Sequence, residues 1–484
     1  MSRTATPSSL ALVLSESEGP LRHRIAAAIV DALRVGALRP GDALPSSRGL
    51  AAELGVSRTA VVDAYDELAA AGFVDSRAGS GTTVATGADD AARAGAAPHV
   101  ATGPVHGSTE STDERSPGID LSPGLPDTDL VSTRHWRSAW RTASARPIPF
   151  AAAGSRGHRA MREALAVHLR RTRGVVADPD EIVIVPGVQA ALRTLVGAAD
   201  LTGRQVAFED PGYAKARITL AAAGARIRPV DVDTDGLDPH DLLESDAAVY
   251  CTPAHQFPMG GRTPVTRRAG LLARVGDRLV IEDDYDGEFR FGVPALPALR
   301  SLAGGDERVA YVGTASKILG PGLRLAWLIP PRRLLPRVHD ALEVSGEKVC
   351  SVTADAFAEF VGSGALTAHL ARTSRTYAAR RQAFVGALDR HLPGVELLGV
   401  EAGLHVALRL PDGCDDRAVA ETIEEHGVRV RPLADYRATS DGPRGLLCGY
   451  ARLPESRADH AAAVIGAAVA AAAGSAGNRS RSGS

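Results

Sequence analysis

The sequence predicts a multidomain α/β protein in which a small helical domain precedes a much larger α/β domain. At 484 residues, the chain is long enough for two or three domains. Residues 86–118 are rich in small and polar residues and poor in large apolar ones, which indicates a flexible linker. Residues 119–473 alternate short apolar runs with helical patterns, which is typical of α/β proteins. We expect residues 1–19 and the tail 474–484 to be disordered.

Composition limits the classes of function. The chain is 44% hydrophobic and 23% charged, with a net charge of −2, so no global basic field attracts it to nucleic acid or membrane. Any DNA contact must therefore come from a local surface. The four cysteines form no CxxC pair, which indicates reduced thiols rather than a disulfide framework or a zinc site. With no apolar run long enough for a membrane span, we expect a cytoplasmic protein without a metal.

The first patterned region, residues 20–85, predicts a winged helix-turn-helix. Leu21, Ile25, Ile29 and Leu33 recur every four residues and give the first helix one apolar stripe. A second helix, capped by Ser46 or Ser47, carries Leu50, Ala51 and Leu54. A tight turn at Gly55 follows, and Ser57 caps a third helix with Val61, Ala64, Tyr65 and Leu68 on one face. "FVDSRAGSGTTVA" then alternates around a glycine-rich tip, as a β hairpin does.

A recognition helix presents its first residues to the major groove of DNA. Ser57, Arg58 and Thr59 occupy these positions here. Arg48 starts the preceding helix and is placed for a phosphate, and Gly81 lets the wing approach a DNA backbone. Seven Arg and seven Asp or Glu occur in residues 21–85, so the domain is not basic, and a helical packing domain is the alternative.

The run "LPSSRGLAAELGVSRTAVVDAYDELAAAGFVDSRAGSGTTV" resembles the DNA-binding domain of GntR-type regulators over nearly its whole length. The resemblance implies that this region binds DNA. Val62 stands where many members of that superfamily carry arginine, so the base preference stays open.

Lys317 is conspicuous because the chain has only three lysines, Lys215, Lys317 and Lys348, among 55 basic residues. A Schiff base requires an amine that can lose its proton and attack an aldehyde, which arginine cannot supply. Pyridoxal phosphate, the aldehyde cofactor that enzymes hold in this way, also needs a phosphate cradle, an acid at its ring nitrogen, a donor to its phenolic oxygen and a surface for stacking.

The sequence offers a candidate for each of these groups. Backbone N–H groups at the start of a helix after a strand would cradle the phosphate, aided by a flanking hydroxyl and a guanidinium. An acid at the end of an apolar strand would pair with the ring nitrogen, a tyrosine two residues later would bond the phenolic oxygen, and another tyrosine would stack on the ring. The candidates for the cradle are Gly187, Val188 and Gln189, with Thr314 and Arg324 beside it. Asp283 is the candidate for the ring nitrogen, Tyr285 for the phenolic oxygen and Tyr213 for stacking.

The order and spacing of these segments resemble fold-type I aminotransferases, and among them the bacterial MocR family of regulators. The match covers residues 119–473 and includes "TPAHQFPMG", "IEDDYDGEFRF" and "GTASKILGPGLRLAW". The resemblance implies a large α/β subdomain, a smaller α+β subdomain from about residue 332, and a homodimer. It also implies pyridoxal 5'-phosphate as cofactor, with Lys317 forming the internal aldimine.

Two positions depart from the aminotransferase pattern. Those enzymes usually have Asn-Pro in the loop that matches "TPAHQFPMG", where the asparagine bonds the phenolic oxygen. His255, Gln256 and Phe257 occur here instead, and His255 is either a neighbour of the ring or a structural histidine. The arginine that holds a substrate carboxylate is replaced by leucine in "GLLCGYA". Possible substitutes are Arg429, Arg431, Arg437, Arg444 and Lys215.

The sequence therefore favours a transcription regulator that binds promoter DNA and senses pyridoxal phosphate or an amino-compound effector through a degenerate aminotransferase domain. The alternative is a working aminotransferase fused to a DNA-binding domain. A binding protein that never forms the covalent link is a third hypothesis.

Overall fold

The computed structural model divides into two compact units, Met1–Asp113 and Glu114–Ser484. It describes residues 12, 14, 20–77, 81–94, 118–147, 154, 157–399, 401–439 and 442–481. Most of the predicted disordered N-terminus, the tip of the predicted wing and the greater part of the predicted linker lie outside these residues. Leu12 and Leu14, which are described, pack against the core of the first unit.

The first unit contains helices and a hairpin in the predicted order of a winged helix-turn-helix. Its elements are α1 (Leu21–Arg34), α2 (Ser47–Leu54), α3 (Arg58–Ala70), β1 (Val74–Arg77), β2 (Gly81–Val84) and α4 (Ala88–Ala94). Strands β1 and β2 pair antiparallel, from Val74 opposite Val84 to Arg77 opposite Gly81.

The predicted apolar stripe forms the core of this unit. Ile25, Ile29 and Leu33 of α1 are fully buried, and they belong to one cluster with Val61 and Leu68 of α3. Because burial of each such side chain stabilises a domain by roughly 1.5–3 kcal/mol, this small core can hold the three helices together.

Two serines fix the starts of the helix-turn-helix. The hydroxyl of Ser46 accepts the N–H of Gly49, so Ser46 rather than Ser47 caps α2. Gly55 ends α2 with a left-handed φ of 66°, a conformation that glycine adopts without strain. Ser57 caps α3 by accepting the N–H of Ala60.

The predicted linker begins too early. Residues Ala88–Ala94 form α4, in which Ala88 and Ala92 are buried against the first unit's core. Small alanine side chains gave no large apolar signal in the sequence, yet they allow close packing against α1. The rest of the predicted linker, up to residue 117, lies outside the described residues.

The second unit contains an eight-stranded sheet with order β4-β11-β10-β9-β8-β5-β6-β7. Its elements up to the last strand of this sheet are β3 (Ile119–Asp120), α5 (Thr133–Ser144), α6 (Arg159–Arg173), β4 (Val183–Val185), α7 (Val188–Ala198), β5 (Gln205–Asp210), α8 (Ala214–Ala222), β6 (Arg226–Asp233), β7 (Gly236–Leu237), β8 (Asp246–Cys251), α9 (Val265–Val275), β9 (Leu279–Asp284), α10 (Gly305–Arg308), β10 (Val309–Thr314) and β11 (Ala326–Ile329).

The topology of this sheet places the predicted site residues at one edge. Strands β10, β9, β8, β5 and β6 pair parallel in that order. Asp283 lies at the carboxyl end of β9, Lys317 follows β10 and Tyr213 follows β5. Open α/β sheets bind ligands at the carboxyl ends of parallel strands, because the turns to the following helices open a crevice there.

A smaller subdomain completes the second unit. Its elements are α11 (Leu335–Ser345), α12 (Ser351–Gly362), α13 (Ala365–His391), β12 (Leu397–Leu398), β13 (His405–Arg409), α14 (Asp416–Glu425), β14 (Val428–Arg429), β15 (Arg431–Pro432), β16 (Gly445–Gly449) and α15 (Ala458–Arg481). Four of these strands form an antiparallel sheet with order β12-β13-β16-β15, while β14 pairs parallel with β3. The start of the unit is thereby joined to the small subdomain.

Helix α15 continues to Arg481, through most of the segment 474–484 that the sequence predicts to be disordered. Alanine-rich sequence before the tail favours helix, and helix propagation is cooperative. Among the described residues, no helix combines the length and apolar character that crossing a membrane requires. That part of the chain also holds no group of three or more His, Cys, Asp or Glu arranged as metal ligands.

Candidate ligand site and DNA-binding face

Lys317 lies in the turn after β10 and its side chain is largely enclosed. Its Nζ donates a hydrogen bond to the carbonyl of Gly124, at 2.7 Å. Gly124 has a φ of 72°, and a Cβ there would lie 2.9 Å from Nζ, so glycine is needed for this approach. Desolvation lowers the pKa of Lys317, Asp286 and Asp283 oppose this, and Lys215 adds to it. The neutral, nucleophilic amine is thus more accessible than in an exposed lysine.

Asp283 is buried at the end of β9 and has one engaged oxygen and one free oxygen. The hydroxyl of Tyr250 on β8 donates to Oδ2 at 2.6 Å, whereas Oδ1 has no hydrogen-bond partner among the described residues. Burial raises the pKa of Asp283 to about 7, although Tyr250 and the nearby Lys317 oppose the rise. A cationic group at Oδ1 would remove the penalty for ionising this acid.

Tyr285 is buried and belongs to a cluster with His255 and Asp286. The hydroxyl of Tyr285 and Oδ2 of Asp286 each lie 2.9 Å from Nδ1 of His255. Burial raises the pKa of Tyr285, so this phenol keeps its proton and remains a donor. His255 is therefore not in a purely apolar setting, and its ring contacts the side chain predicted to reach the cofactor's phenolic oxygen.

Tyr213 joins two segments that are distant in sequence. The amide of Gln189, in the first turn of α7, donates to the hydroxyl of Tyr213 at 3.3 Å. The Tyr213 ring also packs edge-on against Phe257, with centroids 5.8 Å apart. Burial raises the pKa of Tyr213 to about 12. The predicted stacking residue therefore lies beside the predicted phosphate cradle.

The predicted cradle forms at the start of α7. Gly187 precedes the helix with a φ of 109°, and a Cβ there would lie 2.9 Å from Nη2 of Arg324. Arg324 itself donates to the carbonyl of Pro186 at 2.9 Å. A guanidinium and a helix N-terminus thus meet at a space that only glycine leaves open, a favourable place for an anion.

One detail of the predicted cradle is wrong. The N–H of Gly187 donates to the carbonyl of Val185 at 2.9 Å and is not free for an anion. Val188 and Gln189 open α7, where N–H groups lack partners within the helix. Sequence pattern located the turn but could not show that its first N–H closes it.

Thr314 ends β10 and holds the turn that leads to Lys317. Its hydroxyl accepts the N–H of Ser316 at 3.1 Å and lies 3.0 Å from the Ser316 hydroxyl. Sequence reasoning missed Ser316, as it missed Tyr250, Asp286 and Gly124. The position of Ser316 between Thr314 and Lys317 was the signal that could have found it.

The basic residues considered for an effector carboxylate are distributed differently. Arg429 pairs with Glu424 at 2.7 Å, and Arg444 lies 3.8 Å from Asp416. Arg437 is buried and donates to the carbonyl of Pro443, while Arg431 and Lys215 are exposed. Of this group, Lys215 is the one whose charge acts on Lys317.

On the first unit, the predicted DNA-contacting residues lie at the surface. Ser57, Arg58 and Thr59 are exposed at the start of α3, and Arg48 is exposed on α2. Nε of Arg58 donates to the hydroxyl of Ser47 at 3.4 Å, which ties the guanidinium to the turn. Gly81 has a φ of 89° at the start of β2, with nothing within 4 Å of an added Cβ.

Comparisons with known proteins match both units. Residues 21–84 match the bacterial regulatory proteins of the gntR family, and residues 116–465 match aminotransferase class I and II. The pyridoxine biosynthesis transcriptional regulator PdxR of Corynebacterium glutamicum is 35% identical, over 86% of this chain and 88% of its own. The probable rhizopine catabolism regulatory protein MocR of Rhizobium meliloti is 30% identical, over 90% of this chain and 91% of its own.

A solved structure supports the fold of the second unit. The α-aminoadipate aminotransferase of Thermus thermophilus, complexed with N-(5'-phosphopyridoxyl)-L-leucine, superimposes with a TM-score of 0.67 at 26% identity, covering 74% of this chain and 92% of that one. With both units accounted for in the same order, the chain belongs to the MocR-type transcriptional regulators of the GntR family, in which a helix-turn-helix domain precedes an aminotransferase-like domain.

Proposed function

We propose that this regulator binds pyridoxal 5'-phosphate through Lys317 and reports the state of that site to promoter DNA. The observation that carries the proposal is the enclosed Lys317 amine, whose pKa is lowered, near the carboxylate of Asp283 with its unpartnered Oδ1. When bound, the cofactor supplies an aldehyde that an amine can attack and a pyridine ring that withdraws electrons.

The residues of the site fit the cofactor group by group. Val188, Gln189, Thr314 and Arg324 would hold the phosphate, since a helix N-terminus and a guanidinium meet beside Gly187. Asp283 would pair with the ring nitrogen through Oδ1, and this charge would keep the nitrogen protonated.

The rest of the ring would be held by tyrosines. Tyr285 would donate to the phenolic oxygen, and its raised pKa keeps the proton available. Tyr213, positioned by Gln189 and Phe257, would provide the surface on which the ring stacks.

The first unit would bind DNA through α3 and the wing, with Ser57, Arg58 and Thr59 at the major groove and Arg48 and Gly81 at the backbone. Since bacterial promoter DNA lies in the cytoplasm, this proposal places the protein there. The second unit would form a homodimer and take either the cofactor itself or an amino compound as effector. An effector shifts the balance of two conformations only if it binds them with different affinity.

The test is a cofactor titration of the full chain with two readouts. Visible absorbance of the bound cofactor should develop in the native protein and not in Lys317→Arg, which keeps the charge but cannot form the link. DNA affinity, measured on promoter fragments recovered with the native protein, should change when cofactor is added. Equal absorbance in Lys317→Arg, or DNA affinity indifferent to cofactor in both proteins, would contradict the proposal.

The alternative is a working aminotransferase, and the completeness of the cofactor-binding groups favours testing it. Single-turnover mixing with amino donors would distinguish the two. Under the regulator proposal, any conversion of the bound cofactor is slow and is not followed by efficient turnover with a keto acid, because leucines replace the carboxylate-binding arginine in β16. Rapid, repeated turnover would favour the enzyme.

A further inference from the structure

The segment His255–Phe257 stands where aminotransferases carry an asparagine that bonds the phenolic oxygen. Two of its three side chains, those of Gln256 and Phe257, make contacts that leave them unable to replace this asparagine. The amide of Gln256 donates to the carbonyls of Pro211 and Phe257, at 2.9 and 2.8 Å, and so closes its own loop. Phe257 packs edge-on against Tyr213 and Tyr285. His255 is left as the polar side chain of this segment that contacts the site.

His255 reaches Tyr285 and Asp286 through one atom. Nδ1 lies 2.9 Å from each of the Tyr285 hydroxyl and Oδ2 of Asp286, while Nε2 has no hydrogen-bond partner among the described residues. Next to a carboxylate, Nδ1 is the nitrogen that carries the proton and donates. It can then accept nothing from Tyr285, so the phenolic proton is not taken up by the imidazole.

Asp286 is the competing acceptor. Besides burial, its carboxylate raises the pKa of Tyr285, and without His255 it would accept a hydrogen bond from the Tyr285 hydroxyl. Donation from Nδ1 weakens Asp286 as an acceptor and holds the Tyr285 oxygen in place. The hydroxyl proton of Tyr285 therefore remains available to an oxygen outside the cluster.

The His255 ring is held in this position because its own loop and the small subdomain both enclose it. A Cβ at Gly403 would lie 2.1 Å from Cε1 of the ring, and a Cβ at Gly260 would lie 3.1 Å from Nε2. His405 of β13 faces the ring with centroids 5.2 Å apart. The pKa of His405 falls to about 3 through burial first and the neighbouring His255 second, so His405 adds no positive charge here.

Several charged groups from different parts of the second unit surround the cluster. The acids are Asp283, Asp284 and Asp286 at the end of β9 and Glu209 on β5, and the cations are Lys317 after β10 and, around a small cavity beside His255, Arg173, Arg262 and Arg290. None of these groups is substituted in the variants used below. Differences in the titration midpoint between those variants therefore come from positions 255 and 285.

We propose that His255 is a positioning residue that acts through Tyr285: its Nδ1–H holds the Tyr285 oxygen and Asp286 so that the Tyr285 hydroxyl is donated to the phenolic oxygen of pyridoxal phosphate. This inference rests on the proposed function. The chain thereby replaces the direct asparagine contact of aminotransferases with an indirect one.

The test is a pH titration of the visible absorbance of the cofactor-loaded full-length protein. Tyr285→Phe should raise the titration midpoint. Without a donor, the phenolic oxygen of the cofactor is more negative, and it then stabilises the proton on the nitrogen that links Lys317 to the cofactor. His255→Ala should raise the midpoint in the same direction, by about one pKa unit. In the double variant His255→Ala/Tyr285→Phe, the midpoint should equal that of Tyr285→Phe alone, since residues that act through one contact are not additive.

His255→Asn is the matched variant, because its Nδ2 can donate from the place of Nδ1 while filling less of the cavity. A midpoint near the native one in His255→Asn would show that the hydrogen bond from position 255, and not the size of its side chain, sets the midpoint. This variant also replaces His255→Ala as the test if His255→Ala binds no cofactor. An unchanged midpoint in His255→Ala, a shift that persists fully in the Tyr285→Phe background, or a raised midpoint in His255→Asn would overturn the inference while leaving the proposed function intact. A native protein without the visible band would overturn both.

Discussion

At the scale of single residues, the lysine that stood out in an arginine-rich chain lies among groups that suit its chemistry. Lys317 was found by composition, and Asp283, Tyr285 and Tyr213 by their positions after apolar strands. Tyr250 was not found, since in the sequence it is one apolar-strand residue among others. Its role appears only when β8 and β9 pair side by side and its hydroxyl meets Asp283.

Tyr250→Phe tests the value of that contact. Removing the hydroxyl leaves Asp283 without its donor and free to turn away from the ring nitrogen, so cofactor affinity should fall by about tenfold. Tyr311→Phe is the matched control, because Tyr311 donates in the same way to the neighbouring Asp284, at 2.7 Å. Equilibrium titration of both variants checks the prediction, and equal losses would show a general effect on the sheet.

The raised pKa of Asp283 implies opposite effects of one substitution on stability and binding. A carboxyl whose pKa is about 7 in the folded state and ordinary in the unfolded state stabilises the fold when protonated, and this contribution is lost as pH rises through about 7. Asparagine is neutral at every pH. The difference in free energy of unfolding between cofactor-free Asp283→Asn and the native protein should therefore shift in favour of the variant by ~1 kcal/mol or more between about pH 5.5 and about pH 8. The same change should weaken cofactor binding.

Chemical unfolding of the cofactor-free protein at the two pH values gives the free energies. Asp231→Asn, at an exposed position in β6, controls for the loss of one negative charge. A stability difference for Asp283→Asn that does not grow with pH would mean that Asp283 is ionised in the empty site.

At the scale of elements, the proposed phosphate site depends on the turn before α7. Gly187→Ala would place a Cβ 2.9 Å from Nη2 of Arg324, in a backbone conformation that alanine rarely adopts. Affinity for pyridoxal phosphate should fall by about tenfold or more as the guanidinium is displaced. Gly197→Ala, near the end of α7 with nothing within 4 Å of an added Cβ, is the matched control.

Unphosphorylated pyridoxal separates the two possible causes of a loss. If Gly187→Ala acts on the cradle alone, its affinity for pyridoxal should equal that of the native protein. Equal losses for the two ligands would place the damage at the ring or at Lys317.

The start of α3 carries the corresponding prediction for DNA. Arg58→Ala should lower promoter affinity by about 1–3 kcal/mol and leave the cofactor's absorbance unchanged, because the residue is exposed at the position that we propose reads the major groove. Arg34→Ala, at the end of α1, removes the same charge elsewhere in the first unit. Electrophoretic mobility shifts with both variants check this, and equal losses would indicate that only net charge matters.

At the scale of the whole molecule, the order of the elements was predictable and their ends were not. Alternation of apolar runs with helical patterns predicted the strands of the large sheet, and cap residues predicted the helices of the first unit. Ala88–Ala94 and the end of α15 were missed because alanine-rich segments resemble linkers when only large apolar residues are counted. The contacts of His255 and Gly124 were missed because they join segments far apart in sequence.

Family membership and geometry meet in one claim, that Lys317 holds an aldehyde cofactor. The direct measurement is borohydride reduction of the full-length protein saturated with pyridoxal phosphate, followed by peptide mass mapping. With three lysines in the chain, the assignment is simple: the account predicts one stoichiometric label on the peptide containing Lys317, and none there in Lys317→Arg. A label confined to Lys215 or Lys348, or no label at saturation, would contradict it.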